Sequence, residues 1–217
     1  MKQILVYGDS LSWGIIPETR QRFAFDQRWP GVMENRLTES GHAVRVIEDC
    51  LNGRRTVWED PFKPGRNGLD GLEQRMEIHS PLVLVIVMLG TNDFQSMHTM
   101  NAWHSARGIE AIVHAIRRAP LEPGMQVPGI VIVAPPCVEQ ALGSMAQKFE
   151  NAGVKSEGLS GALKQVAGET HCYFFDAGTV TATSKVDGVH LDEDQHGVLG
   201  QALARFIEPL LAGEPGG

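Results

Sequence analysis

Five short apolar runs, at residues 4–7, 44–47, 82–89, 130–134 and 172–175, restrict the fold of this chain more than any other feature. Each is rich in β-branched or aromatic residues and nearly continuous, with no alternation between apolar and polar positions. Strands covered on both faces, as in parallel sheets, have this pattern. Helical periodicity fills the gaps, at 29–39, 69–79, 101–118, a broad segment 144–168, and 194–211. Such strand–helix alternation predicts an open, doubly wound α/β fold. In the last helix Leu199, Leu203, Phe206 and Leu210 fall on one face, with Asp192 or Asp194 placed to cap its start. With 217 residues and no internal repeat, the chain reads as one domain over 1–212. Residues 213–217 read as a frayed tail.

In a sheet of this kind ligands bind beyond the carboxyl ends of the strands. The residues that follow each run are therefore the place to look for chemistry. They are Gly8-Asp9-Ser10, then Glu48 to Arg54, then Gly90-Thr91-Asn92-Asp93, then Pro135-Pro136-Cys137, and finally Asp176 with Asp187-Gly188-Val189-His190. All five stretches are expected to converge at one edge of the sheet.

Ser10 stands where the first strand gives way to a helix. Its own amide can then point at a developing oxyanion, with the helix start adding partial positive charge. Taken alone, Ser10 reads equally well as a helix cap. A serine hydroxyl is a weak nucleophile until a base takes its proton. His190 differs from the other seven histidines in having Asp187 three residues before it, in a glycine-containing turn. That spacing lets the carboxylate accept from one ring nitrogen while the other faces Ser10, as a catalytic triad needs. Ser12 is the rival hydroxyl and is expected to be structural. Asn92, after the most apolar strand, carries an amide donor that is costly to leave unpaired, and an oxyanion is a suitable acceptor. Gly53 lacks a side chain, so its amide can approach a ligand closely. The other reading is an Asx-turn for Asn92 and a loop glycine for Gly53. The neighbours Asp9, Leu11, Trp13, Ile15, Asn52 and Val189 are the expected walls of a substrate pocket.

Composition narrows the partners. The net charge of −7 argues against nucleic acid or an anionic membrane surface. No run is long enough to cross a bilayer, and the first strand starts too early for a signal peptide, which predicts a cytoplasmic protein. Cys50, Cys137 and Cys172 are odd in number and outside any CxxC pattern, so they read as free thiols. Neither GxGxxG nor GxxxxGK[ST] is present, so no nucleotide cofactor is expected. Asp9, Asp49 and Asp93, with His190, are the competing reading: carboxylates that hold a divalent metal for phosphoester hydrolysis. None of these four residues lies in an HxH, HExxH or DxD spacing, and no metal is expected.

The blocks Gly8-Asp9-Ser10-Leu11, Gly53, Gly90-Thr91-Asn92-Asp93 and Asp187-Gly188-Val189-His190 occur in this order. In combination they resemble the SGNH (GDSL-type) hydrolases. The resemblance implies a flavodoxin-like three-layer α/β/α sandwich around a five-stranded parallel sheet. It implies Ser10 as nucleophile, His190 as base and Asp187 as its orienting acid. The oxyanion hole would be the Ser10 and Gly53 amides with the Asn92 side chain. Trp13-Gly14, Arg28-Trp29, Asn52-Gly53-Arg54-x-Thr56, Asp60-Pro61, Arg66-Asn67-Gly68 and Phe175-Asp176-Ala177-Gly178 are similar to the bacterial arylesterase and acyltransferase group. That similarity implies short-chain or aryl esters as small-molecule substrates, acyl transfer as a side activity, and assembly into a homo-oligomer. Thioesterase, lysophospholipase or carbohydrate O-deacetylase activity would use the same chemistry. Ile15-Ile16 stands where the efficient acyltransferases carry a bulky tryptophan. This implies weaker transfer and room for a longer acyl group.

Overall fold

In a computed structural model, which describes residues 1–212, five parallel strands form one sheet. They are β1 (Lys2–Gly8), β2 (Val44–Cys50), β3 (Leu84–Met88), β4 (Gly129–Ala134) and β5 (Tyr173–Asp176), in the spatial order β2-β1-β3-β4-β5. β1 sits at the turning point of this order. It pairs with β2 from Lys2↔Val44 to Gly8↔Cys50 and with β3 from Ile4↔Leu84 to Gly8↔Met88. The chain leaves β1 in one direction and returns on the other side, which opens a crevice beyond the ends of β1 and β3.

The helices are α1 (Ser10–Trp13), α2 (Trp29–Glu39), α3 (Leu72–His79), α4 (Ala102–Arg118), α5 (Ala152–Ser156), α6 (Leu159–Glu169) and α7 (Glu193–Ala212). Two separate cores explain why the strands are apolar throughout. Leu5, Tyr7, Val85, Val87 and Ile132 point to one side, against Met76, Ile109, Ile112, Ile116, Leu163 and Val166. Ile4, Val6, Ile86, Met88 and Val133 point to the other, against Trp29, Met33, Leu37, Leu199, Leu203 and Ile207. Neighbouring residues thus bury in opposite layers, as the period of two in a strand requires. The result is the expected α/β/α sandwich.

Three local features differ from the sequence reading. The segment 144–168 is not one helix but a 3₁₀ turn at Gly143–Met145 followed by α5 and α6. Gly143, Gly153, Gly158, Gly161 and Gly168 weaken helical propensity along it. At the start of α7 Asp192 holds the N-cap position, its carbonyl accepting from the His196 amide at 3.0 Å and its amide donating to Gln195 Oε1 at 2.8 Å, but its carboxylate accepts from Ser184 Oγ at 2.8 Å. Asp194 lies inside the first turn. The expected tail, 213–217, lies outside the described residues. Among the described residues no helix is long and apolar enough to cross a membrane.

Candidate active site

β1 ends at Gly8, and the chain turns at once into the single-turn helix α1. Asp9 is its N-cap: Oδ1 accepts from the Leu11 amide at 2.9 Å, and the Gly14 amide closes the turn onto the Ser10 carbonyl. Ser10 is therefore the first helical residue. Its amide is one of the donors a helix start leaves without an intrahelical acceptor, and it donates to no other backbone group among the described residues.

His190 and Asp187 come from the loop between β5 and α7. Asp187 Oδ1 accepts from the Val189 and His190 amides, both at 2.9 Å, and Oδ2 lies 2.6 Å from His190 Nδ1. The opposite ring nitrogen, His190 Nε2, is 3.2 Å from Ser10 Oγ. Gly188 makes this turn possible: its φ is +73°, and a Cβ there would stand 1.9 Å from the Gln140 carbonyl oxygen. Burial alone would push the Asp187 carboxyl upward, but the bond and charge of His190, with the two backbone amides, hold it below its usual value. The carboxylate thus stays ionised and fixes a proton on Nδ1. That leaves Nε2 as an acceptor for the Ser10 proton.

Gly53 is brought to Ser10 by Arg54. The Arg54 guanidinium donates to the Gly8 carbonyl at 3.0 Å and to Asp49 Oδ1 at 2.7 Å, and lies over the Tyr7 ring at 4.0 Å from its centre. This clamps the loop after β2 onto the end of β1. Gly53 itself has a φ of +84°, a turn conformation that other residues rarely adopt.

Asn92 sits in a 3₁₀ turn, Thr91–Phe94, directly after β3. Its amide nitrogen is not idle: it donates to Asp9 Oδ2 at 2.9 Å and to the Arg54 carbonyl at 3.2 Å. The protein supplies both acceptors that the sequence reading left to a ligand. The Asn92 oxygen accepts from Gln95 Nε2 at 2.7 Å, and Gln95 Oε1 accepts from Arg55 Nη2 at 2.6 Å. Arg55 Nη1 is 3.1 Å from Asp60 Oδ2. A guanidinium only donates, so this series has one polarity, and it turns the Asn92 NH₂ toward Asp9 and the site. Asp9, one of the expected pocket walls, is instead buried behind it, and burial raises its carboxyl to about 6.

Ser10, Gly53, Asn92 and His190 line one cleft of about 60 Å³, together with Ile15 and Asn52. Ile15 and Asn52 are thus where they were expected. Leu11 and Val189 are not: each is 1% exposed and packs in a core on opposite sides of the sheet. Trp13 is not among the lining residues of the cleft and carries Arg22 on its ring, 4.8 Å from the centre. Leu11, the neighbour of Ser10 on the helix, is rotated off the face that Ser10 presents. Ser12 is fully buried, as expected of a structural hydroxyl.

The five strand-end stretches do not all meet. Pro135, Pro136, Cys137 and Asp176 line a separate cavity of about 310 Å³. Nor do the aspartates gather around a common point. Asp49 pairs with Arg54 and Arg75, and Asp93 accepts from the Thr56 amide at 3.0 Å and Thr56 Oγ1 at 2.7 Å. Among the described residues no three His, Cys, Asp or Glu side chains are placed to hold a metal ion. Phe62 and Trp103 are largely exposed, and neither they nor Trp58 line the Ser10 cleft. Gln95, Arg55 and Asp60 were missed as site residues. A usable signal existed in the spacing of Gln95, three residues after Asn92 on a helical turn.

A hydroxyl, an imidazole and a carboxylate in series, facing convergent amide donors, is the arrangement of the serine hydrolases. Comparison with known proteins gives the family. The GDSL-like lipase/acylhydrolase family matches residues 6–198. Among solved structures, the M. smegmatis aryl esterase is 35% identical with a TM-score of 0.89, covering 97% of this chain and 100% of that one. Est24, a carbohydrate acetylesterase from Sinorhizobium meliloti, is 33% identical with a TM-score of 0.89 over the same shares of the two chains. An arylesterase of Vibrio mimicus is 34% identical over 92 residues, a match spanning 42% of this chain and 38% of that protein's length. The chain belongs to the GDSL-like lipase/acylhydrolase family and has the fold of the SGNH hydrolases.

Proposed function

We propose that this protein is a serine carboxylic ester hydrolase of arylesterase type, acting on short-chain or aryl esters through a Ser10 acyl-enzyme. The observation that carries this is the series Ser10 Oγ, His190 Nε2, His190 Nδ1, Asp187 Oδ2, with steps of 3.2 and 2.6 Å. As Ser10 Oγ attacks the ester carbonyl, its proton passes to His190 Nε2, and the Asp187 carboxylate stabilises the imidazolium. The tetrahedral oxyanion accepts from the Ser10 and Gly53 amides and from Asn92 Nδ2. For this Asn92 releases the Arg54 carbonyl, the longer of its two contacts at 3.2 Å. His190 then gives its proton to the departing alkoxide, and the ester C–O bond breaks. Water attacks the acyl-enzyme by the same route and frees Ser10.

The small volume of the cleft favours a short acyl group, and the names of the similar aryl esterase and carbohydrate acetylesterase point the same way. De-acetylation of a carbohydrate is the second reading, distinguished only by the alcohol released. We further propose acyl transfer to other alcohols as a minor activity, self-association, and a cytoplasmic location, the last supported by three free thiols.

The test is intact-mass spectrometry after a small organophosphonate, with p-nitrophenyl acetate turnover followed in parallel. One adduct on the wild type, none on Ser10→Ala, and loss of turnover in step with labelling are expected. A folded wild type with neither adduct nor turnover would overturn the assignment.

A further inference from the structure

The wall of the Ser10 cleft carries three cations, Arg20, Lys63 and Lys148. They come from separate parts of the chain: the loop after α1, the loop that follows Gly53, and the segment before α5. All three are solvent-exposed, so they form the mouth of the cleft, while Ser10 and His190 lie buried at its floor. Among the described residues none of the three forms an ion pair, although eleven such pairs involve other residues.

The nearby carboxylates are engaged elsewhere. Asp60, the one acid in the cleft lining, pairs with Arg55 and accepts from the Phe62 and Lys63 amides. Glu59 accepts from the Arg66 and Asp60 amides. Glu18 accepts from the Ser144 amide. The cations also disfavour one another. Lys63 is held below its usual value by partial desolvation of its ammonium and by Arg66 and Arg20, and Lys148 by partial desolvation and by Arg55, Lys63 and Arg20, in both cases against the opposing charge of Asp60. In a chain of net charge −7, like charges gathered without partners are a cost to folding. A bound anion would remove that cost.

We propose that the substrate is a short-chain ester whose leaving alcohol carries a negative charge, held at the mouth by Arg20, Lys63 and Lys148. The inference rests on the esterase reading above. The cleft, of about 60 Å³, takes the small acyl group against Ser10. The alcohol part then projects outward past the three cations. A carboxylate there meets them before the ester carbonyl reaches the floor, so the cluster both steers and orients the substrate.

The test compares 4-acetoxybenzoate with its methyl ester, which differ in charge and not in the acyl group. The methyl ester has the better leaving group, so a preference for the acid runs against intrinsic reactivity. An exposed ion pair changes binding by up to about fivefold, so three together should raise kcat/KM for the acid over the methyl ester by roughly tenfold at low salt. Raising salt to about 0.5 M should erase most of that ratio by screening. The variant Arg20→Gln/Lys63→Gln/Lys148→Gln should lower the ratio by about tenfold relative to the wild type, with the effect mainly in KM. Turnover of the methyl ester with no preference for the acid, or a preference that survives both salt and the triple variant, would overturn this inference alone. A wild type that cleaves neither ester would overturn the esterase reading with it.

Discussion

The space beyond β1 and β3 and the space beyond β4 and β5 share one sheet edge but are built in opposite ways. The first is a cleft of about 60 Å³ with Ser10, His190, Asn92 and Gly53 at its floor and cations at its rim. The second is five times roomier, about 310 Å³, and is walled by Phe94, Pro135, Pro136, Cys137, Val138 and Leu159 among others. They meet back to back across the turn Thr91–Phe94, whose Asn92 faces the small cleft while Thr91 and Phe94 face the large cavity. In the large cavity Cys137 has only a weak contact with Ser156 Oγ, at 3.5 Å, and no imidazole in the lining. In the small one, Ser10, His190 and Asn92 are each held by another polar group. Volume arises where packing leaves space; reactivity arises where polar groups constrain one another.

The largest expected effect tests whether that mutual constraint carries the chemistry. Asp187→Asn leaves the shape of the turn but cannot hold the proton on His190 Nδ1, and kcat for p-nitrophenyl acetate should fall by about 10⁴-fold. A loss under tenfold would remove the base–acid pair from the site. Next comes the donor side. Asn92→Ala should lower kcat by roughly 10²–10³-fold. Gln95→Glu touches no substrate, but replaces the donor to Asn92 Oδ1 with a carboxylate. An unsatisfied buried partner of this kind costs about 1–3 kcal/mol, so kcat should fall by roughly ten- to a hundredfold with KM nearly unchanged. A loss confined to KM, or to thermal stability, would make Gln95 a packing residue and no more. The smallest effect is expected from Cys137→Trp, which fills the large cavity; kcat/KM for p-nitrophenyl acetate should change by less than about twofold. A hundredfold loss there would transfer the chemistry to the larger space and reverse the comparison.

What could be read along the chain was what neighbours in sequence settle. An apolar run ending at Gly8-Asp9-Ser10 makes a strand that breaks into a helix, because Asp9 caps Leu11 from two residues away. Asp187 reaches His190 within one turn, so their pairing was visible as a spacing of three. The parallel sheet followed from runs that are apolar on both faces, each burying in a different layer. Leu11, Trp13 and Val189 lie just as close to the reacting groups in sequence, and there proximity misled. Their directions depend on how one turn of helix and one short loop rotate against the core, which no local pattern encodes.

The rest was decided by packing across long separations. Ser10 and His190 are 180 residues apart, and their 3.2 Å contact exists only because β1 and the loop before α7 reach the same end of the sheet. Arg55 stood unmarked in the pattern Asn52-Gly53-Arg54-x-Thr56, yet it is fully buried and begins the relay that orients Asn92. Its donor-only guanidinium sets the polarity of that relay through space, from a loop 37 residues away from Asn92 in the chain. The cations at the mouth have the same origin, since Arg20, Lys63 and Lys148 share no motif and acquire a common role only where three loops close over one cleft. Turns, caps and strand faces are short-range consequences of backbone and side-chain chemistry; the orientation of a buried amide and the charge at a rim are sums over distant groups, and only the folded chain brings those groups together.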